Sequence, residues 1–194
     1  MVSEQSRPAL RVDVRRPQRA DARRNFDALL AAARDAFATK GVGASLEDIA
    51  RQAGVGIGTL YRNFPNRRDL MHAVYFGEIE ELCIAAEDVA DLPPWEALTT
   101  WLHRFVEYAA TKRAIWESLN RETENFKAAR EAMYAAGTPL FERAQAAGAA
   151  RKDVSFDDLL RMVSGLTAAG FVDQAQRDRV LAIALEGVRA RASF

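Results

Sequence analysis

Chemically reactive side chains are scarce in this 194-residue chain, which holds one cysteine, Cys83, and two histidines, His72 and His103. A single thiol cannot close an internal disulfide, which fits a reducing cytoplasm. Each of the three stands alone in a helical pattern, and no HxxxH, CxxC or nucleophile-elbow spacing occurs. Metal chemistry and nucleophilic catalysis therefore lack sequence support, and no cofactor-binding motif is present. Long apolar runs are missing as well. The longest nearly uncharged stretch toward the C-terminus, Met162 to Val172, is far short of the roughly 20 apolar residues that cross a bilayer, so no membrane span is expected. The N-terminal stretch lacks the apolar core of a secretion signal and carries arginines instead, from Arg7 and Arg11 through Arg23 and Arg24. Strand alternation and internal repeats are also absent, which leaves an all-α chain.

Net charge is missing only on average. Residues 1–76 hold 13 basic and 8 acidic side chains, and residues 77–194 hold 14 and 19, so the two parts are +5 and −5. A basic N-terminal part is what phosphate neutralisation requires, and an acidic remainder is repelled from the same polyanion.

What the chain does contain, besides enough apolar residues for a substantial core, is the stretch Ser45–Leu70, SLEDIARQAGVGIGTLYRNFPNRRDL. Ser45 with Asp48 has capping-box spacing, which predicts a helix from Leu46. Leu46, Ile49, Ala50 and Ala53 form one stripe that stops at Gly54, a residue free to take a left-handed cap. After Gly56, Leu60 and Phe64 mark a second short helix, ended by Pro65. The spacing predicts a helix-turn-helix. Thr59, Arg62 and Asn63 fall off the apolar stripe and are side-chain types that read base edges: guanidinium suits guanine O6 and N7, and an amide suits adenine. Asn66 can cap a third helix, whose first turn carries Arg67 and Arg68 beside free N–H groups that favour phosphate.

The segment GVGIGTLYRNFPNRRDL resembles the recognition segment of the TetR family of one-component regulators. The resemblance runs from the helix at Asp21–Lys40 to near Tyr75, with Phe37, Gly41, Ser45, Ile49, Ala50, Gly54, Val55, Gly58, Leu60, Tyr61, Phe64 and Leu70 in the family's positions. Ile57 departs from it, because relatives often carry a polar residue there. The candidate DNA-binding set is Ser45, Gly56, Ile57, Gly58, Thr59, Tyr61, Arg62, Asn63, Arg67 and Arg68, facing double-stranded DNA.

Around this stretch the chain divides into a basic flexible arm (1–20), a helix-turn-helix domain (21–76) and an effector-binding and dimerisation domain (77–194). The alternative for the arm is an untethered tail. Phe26, Leu29, Leu30, Ala33 and Phe37 give a first helix that should cover the helix-turn-helix. The helix from Asn66 to about Ala90 changes apolar phase, from Leu70 and Val74 to Ile79, Leu82, Cys83 and Ala86, so one rod can serve two cores. Further helices are expected from Pro94, over Ala114–Leu119, over Thr123–Ala147 with a kink or restart at Gly137 and Pro139, from Phe156 to Gly170, and from Ala175 to Arg191.

In the second part, Trp101, Phe105, Tyr108, Trp116, Phe126, Met133, Tyr134, Phe141 and Met162 make aromatic and Met stripes. Plain core is the commoner use of such stripes; the family resemblance implies a pocket for a small-molecule effector. It also implies that the last two helices pair with those of a second copy as a four-helix bundle, giving a homodimer through Leu159, Val163, Leu166, Leu181, Leu185 and Val188, with Gly165, Ala168 and Ala169 permitting close approach; a monomeric core is the alternative for these stripes. A two-fold dimer places two reading helices on successive turns of a palindromic duplex. The resulting expectation is a cytoplasmic repressor released by a mostly apolar effector. A helical protein-interaction module and a small all-α enzyme are the alternatives.

Overall fold

The computed structural model describes residues 16–115, 124–168 and 170–190. Among them, eight α-helices form, with a short 3-10 turn at Gly41–Gly43 and no β-strand: α1 Ala20–Lys40, α2 Leu46–Gln52, α3 Ile57–Asn63, α4 Arg67–Asp88, α5 Pro94–Ile115, α6 Glu124–Ala146, α7 Phe156–Ala168 and α8 Gln174–Glu186. Residues 1–15, the proposed short helix beyond Ile115, Trp116, Ala169 and Arg191 lie outside the described residues. The chain makes two compact units, one from the described parts of Met1–Glu80 and Thr111–Ala132, the other from Glu81–Ala110 and Met133–Phe194. The junction at Glu80 falls inside α4, close to the change of apolar phase along that helix.

In the first unit, Phe26, Leu29, Ala33 and Phe37 of α1 are buried, and Gly41 ends the helix with φ +59° while its N–H bonds Phe37 O. The Ser45 hydroxyl accepts from Asp48 N–H at 3.2 Å, so α2 starts where the spacing predicts. The reciprocal half of the capping box is replaced: Ser45 donates to Glu47, and Asp48 pairs with Arg51. Gly54 closes α2 at φ +70°, a conformation that only glycine adopts without strain. In α3 only Leu60 is buried, and Phe64 behind it packs on Phe26 with ring centroids 5.1 Å apart. Thus α1 packs on α2 and, through Phe26, on the end of α3. Asn66 caps α4 reciprocally, accepting from Asp69 N–H and donating to the Asp69 carboxylate.

The middle of α4 is apolar almost all round: Leu70, Met71, Ala73, Val74, Tyr75, Phe76 and Ile79 are buried. A helix hydrophobic on every side must be enclosed. One enclosing element is the start of α6, where Phe126 stacks on Tyr75 at 4.7 Å and meets Phe76 and His72 at 5.1 and 5.7 Å. The buried Glu78 is neutralised by Arg34 of α1, as a desolvated carboxylate must be.

The second unit is built on Trp101, wholly buried, whose indole N–H donates to Leu82 O at 2.9 Å. Phe105 and Phe156 lie 5.8 Å from its ring, and Phe141 and Tyr134 pack on Phe156. α6 runs through Gly137 and Pro139 without restarting. A Cβ at Gly137 would stand 2.4 Å from Phe156 Cζ and 2.6 Å from Trp101 Cη2, so the glycine is there to let those rings meet the helix backbone. Tertiary packing overrides the break that Pro139 invites. α7 opens on a complete capping box: the Ser155 hydroxyl accepts from Asp158 N–H, and the Asp158 carboxylate accepts from Ser155 N–H and Oγ. These bonds hold the Asp158 carboxyl below its ordinary range. α8 stops at Glu186, short of the expected end. Val188–Ala190 turns aside because Val188 O accepts from Arg151 N–H and Ala190 N–H donates to Ala149 O.

Candidate nucleic-acid interface

The ten candidate DNA-binding residues fall together between the start of α2 and the first turn of α4. Gly56, Ile57, Gly58, Tyr61, Arg62 and Arg68 are exposed, and Thr59, Asn63, Ser45 and Arg67 are half-buried. Tyr61, at 46% exposed, and Ile57 are large apolar groups left uncovered. A Cβ at Gly56 or Gly58 would meet nothing within 4 Å, so packing among the described residues does not require either glycine. Gly58 is the second residue of α3, where glycine still forgoes part of the roughly 1 kcal/mol that alanine gains in a helix interior. Its smallness is free to serve an external surface.

Polar side chains on α3 rest on their own helix. Arg62 Nε donates to Gly58 O at 3.2 Å and Nη2 to Thr59 Oγ1 at 3.1 Å, while Asn63 Nδ2 donates to Thr59 O at 2.8 Å. These are weak local bonds that a base edge can replace. Arg67 is differently engaged. Its Nη1 donates to Val42 O at 3.0 Å and to Ala44 O at 2.5 Å, across 25 and 23 residues of sequence. One nitrogen of the Arg67 guanidinium is thus engaged by carbonyls of the chain itself, and no local signal in the sequence marks that partner. Arg68 remains exposed, and its charge together with burial lowers the His72 pKa, burial being the larger cause and Asp69 opposing.

Two neighbouring features escaped the sequence reading. Arg16, in the arm before α1, lies 3.8 Å from Asp27 and 3.5 Å from Glu80, so its charge is already shared. A shallow cleft of about 240 Å³ lies between α1 and α2, lined by Asp35, Ala36, Thr39, Lys40, Ser45, Asp48 and Gln52. Its two carboxylates make it a poor seat for phosphate.

The candidate effector lining divides between the units. Phe126 belongs to the first, packed with His72, Tyr75 and Phe76. Trp101, Phe105, Tyr108, Met133 and Phe141 are buried in the second, with Tyr134 and Met162 half-buried there. The Tyr134 hydroxyl donates to Asp157. Of the candidate dimer residues, Leu159, Val163, Leu181, Leu185 and Val188 are buried within the chain's own unit, and Leu166 is half-buried. The five are thus spent on the protomer's own core. The apolar side chains left open near them are Ile183 of α8, 74% exposed, and Val172 before it, 87% exposed.

Residues 29–74 match the family described as "Bacterial regulatory proteins, tetR family", and residues 93–190, half the chain, match "Transcriptional regulator SbtR-like, C-terminal domain". The chain is similar to the crystal structure of a TetR transcriptional regulator from Streptomyces coelicolor, 39% identical, covering 86% of this chain and 99% of that one with a TM-score of 0.74. A TetR transcription regulatory protein from Mycobacterium vanbaalenii is 31% identical, with 89% and 99% covered and a TM-score of 0.69. A curated HTH-type transcriptional regulator of Staphylococcus aureus (strain MRSA252) is 32% identical over 76 residues, 39% of this chain but only 40% of that protein's length.

Proposed function

The chain belongs to the TetR family of bacterial transcriptional regulators, and from that membership we propose that it is a repressor that binds a palindromic operator as a homodimer and is released by a small, mostly apolar effector. The observation that carries the DNA-reading half is the state of α3: one buried residue, Leu60, and a solvent face of Thr59, Tyr61, Arg62 and Asn63 beside Gly58, where an added Cβ would meet nothing within 4 Å among the described residues. Arg62, Thr59 and Asn63 are proposed to meet base edges or the adjacent phosphates. Ser45, Gly56, Ile57, Gly58, Tyr61 and Arg68 line the backbone approach. Since Ser45 is occupied as a cap, its contribution is to place α2.

Dimer formation is proposed on the outer faces of α7 and α8. Ile183 and the exposed Ala168 line them, and Gly165, where a Cβ would find nothing within 4 Å, permits close approach. Two recognition helices related by a two-fold axis read half-sites one helical turn apart. The effector is proposed to bind among the second-unit side chains Trp101, Phe105, Tyr108, Met133, Tyr134, Phe141 and Met162, where apolar surface dominates. Those rings already pack on one another, so entry requires their displacement, and the ligand selects the state in which they are parted. α4, which contributes to both units, is the element on which the two equilibria meet. No described helix is long and apolar enough to cross a membrane, and the site of action is proposed to be the cytoplasm.

Selection of bound sequences from a random duplex pool tests this reading. The expected product is a two-fold symmetric consensus bound with a steep salt dependence. Enrichment of no sequence, or of a site without two-fold symmetry, contradicts it. For the effector, ligands that quench Trp101 fluorescence should lower operator affinity by the same factor by which operator lowers theirs.

A further inference from the structure

We propose that Arg67 is a positioning residue for the recognition helix, holding it through the chain's own carbonyls instead of touching phosphate; the proposal rests on the DNA-reading role of α3. Arg67 is the first residue of α4, and the Asn66 cap fixes its backbone. From there one guanidinium nitrogen spans Val42 O and Ala44 O, at 3.0 and 2.5 Å. Those carbonyls belong to the connection between α1 and α2, immediately before Ser45, whose hydroxyl starts α2. The loop closed in this way contains the whole of α2 and α3.

Ala44 is wholly buried. Its carbonyl, cut off from bulk water, depends on Arg67 as a donor, and a charged donor makes a stronger bond than a neutral one. Because Asn66 and Arg67 are consecutive, the covalent link from α3 through Phe64 and Pro65 and the clasp on Ala44 converge on one turn of α4. The pose of α3 is thus set at both ends of the helix-turn-helix from that turn. A change at the start of α4 reaches the cap of α2 directly, without crossing a flexible loop.

The test uses the full chain and three variants: Arg67→Ala, Arg67→Met, which keeps the apolar stem should alanine unfold the head, and Arg68→Ala as a phosphate-contact control. Without DNA, amide hydrogen exchange across residues 45–63 should accelerate on the order of tenfold in the Arg67 variants while amides of α7 keep the parent rate. Unchanged exchange at residues 45–63 overturns the proposal, and so does an equal acceleration everywhere, which a general loss of stability produces. With a duplex enriched from a random pool and a random duplex of equal length, the Arg67 variants should lose the ratio of specific to non-specific affinity. Their dependence of log affinity on log salt should keep the parent slope, while Arg68→Ala lowers that slope by about one at constant ratio. A slope reduced by about one in Arg67→Ala at an unchanged ratio marks a phosphate contact and overturns the clasp. Failure to enrich any duplex counts against the DNA-reading role, and the exchange arm then still decides the clasp.

Discussion

α3 and the Trp101 cluster are opposite uses of side chains. In α3 one residue in seven is buried, and the polar groups lie along their own helix, held by bonds to Gly58, Thr59 and each other. Around Trp101 the indole N–H has found a carbonyl, the rings of Phe105 and Phe156 lie against it, and the backbone of α6 comes so near that Gly137 has no room for a methyl. The same residue type carries the contrast: Gly137 is small because the chain needs the space, and Gly58 is small with nothing among the described residues to use it. Side chains without an internal task, on a surface that local bonds keep ordered, are what an external ligand requires.

Substitutions sharpen this contrast. The largest effect separates two neighbours on α8. Leu181→Glu places a carboxylate where the parent residue is 2% exposed and should cost several kcal/mol of stability, read as a lower urea midpoint. Ile183→Glu, on the exposed side, should shift sedimentation toward monomer and lower that midpoint far less, only by the stabilisation that dimerisation adds. A dimer that survives Ile183→Glu removes α8 from the proposed interface.

Gly137→Ala comes next. Overpacking against Phe156 and Trp101 should cost about 1–3 kcal/mol and disturb the tryptophan near-UV signal. Gly58→Ala should do the reverse to stability, raising it by roughly 0.5–1 kcal/mol through helix propensity, while weakening duplex binding. If Gly58→Ala binds duplex as the parent does, the glycine is not kept for a close external approach.

The smallest effect is a pH slope. Burial and Arg68 lower the His72 pKa below the ordinary imidazole value of about 6.5, and His72 Nε2 is buried without a hydrogen-bond partner among the described residues. A lowered folded-state pKa means that the unfolded chain binds more protons, so this contribution is complete above the unfolded pKa and is lost as pH falls through the folded one. The urea midpoint should therefore drop between pH 7 and pH 5, and His72→Leu should flatten that drop. An identical slope in His72→Leu assigns it to other groups.

Features set by a few adjacent residues were legible in the sequence. Ser45, Gly54, Pro65, Asn66, Pro94 and Ser155 each mark a helix boundary through their own backbone preference or a bond three residues away, and the structure puts the boundaries there. The phase change along α4 likewise pointed to a helix shared by two cores. Illegible were features that depend on distant partners. Nothing local says that Arg67 bonds carbonyls 23 and 25 residues back, that Phe126 closes over Tyr75, or that Val188–Ala190 leaves α8 to pair near Ala150. The candidate dimer residues show the same limit. An apolar stripe announces that a helix face is buried but not by what, and five of the six face the protomer's own core.

The central claim, that the exposed face of α3 reads sequence, is tested most directly with Arg62→Ala, by measuring its affinity for every single-base variant of the enriched duplex alongside the parent. In the proposed complex the guanidinium leaves Gly58 and Thr59 to meet a base, so the variant should lose about 1–3 kcal/mol of discrimination at one position in each half-site and keep the parent's preferences elsewhere. A preference profile identical to the parent's at every position, whether or not overall affinity falls, would contradict it.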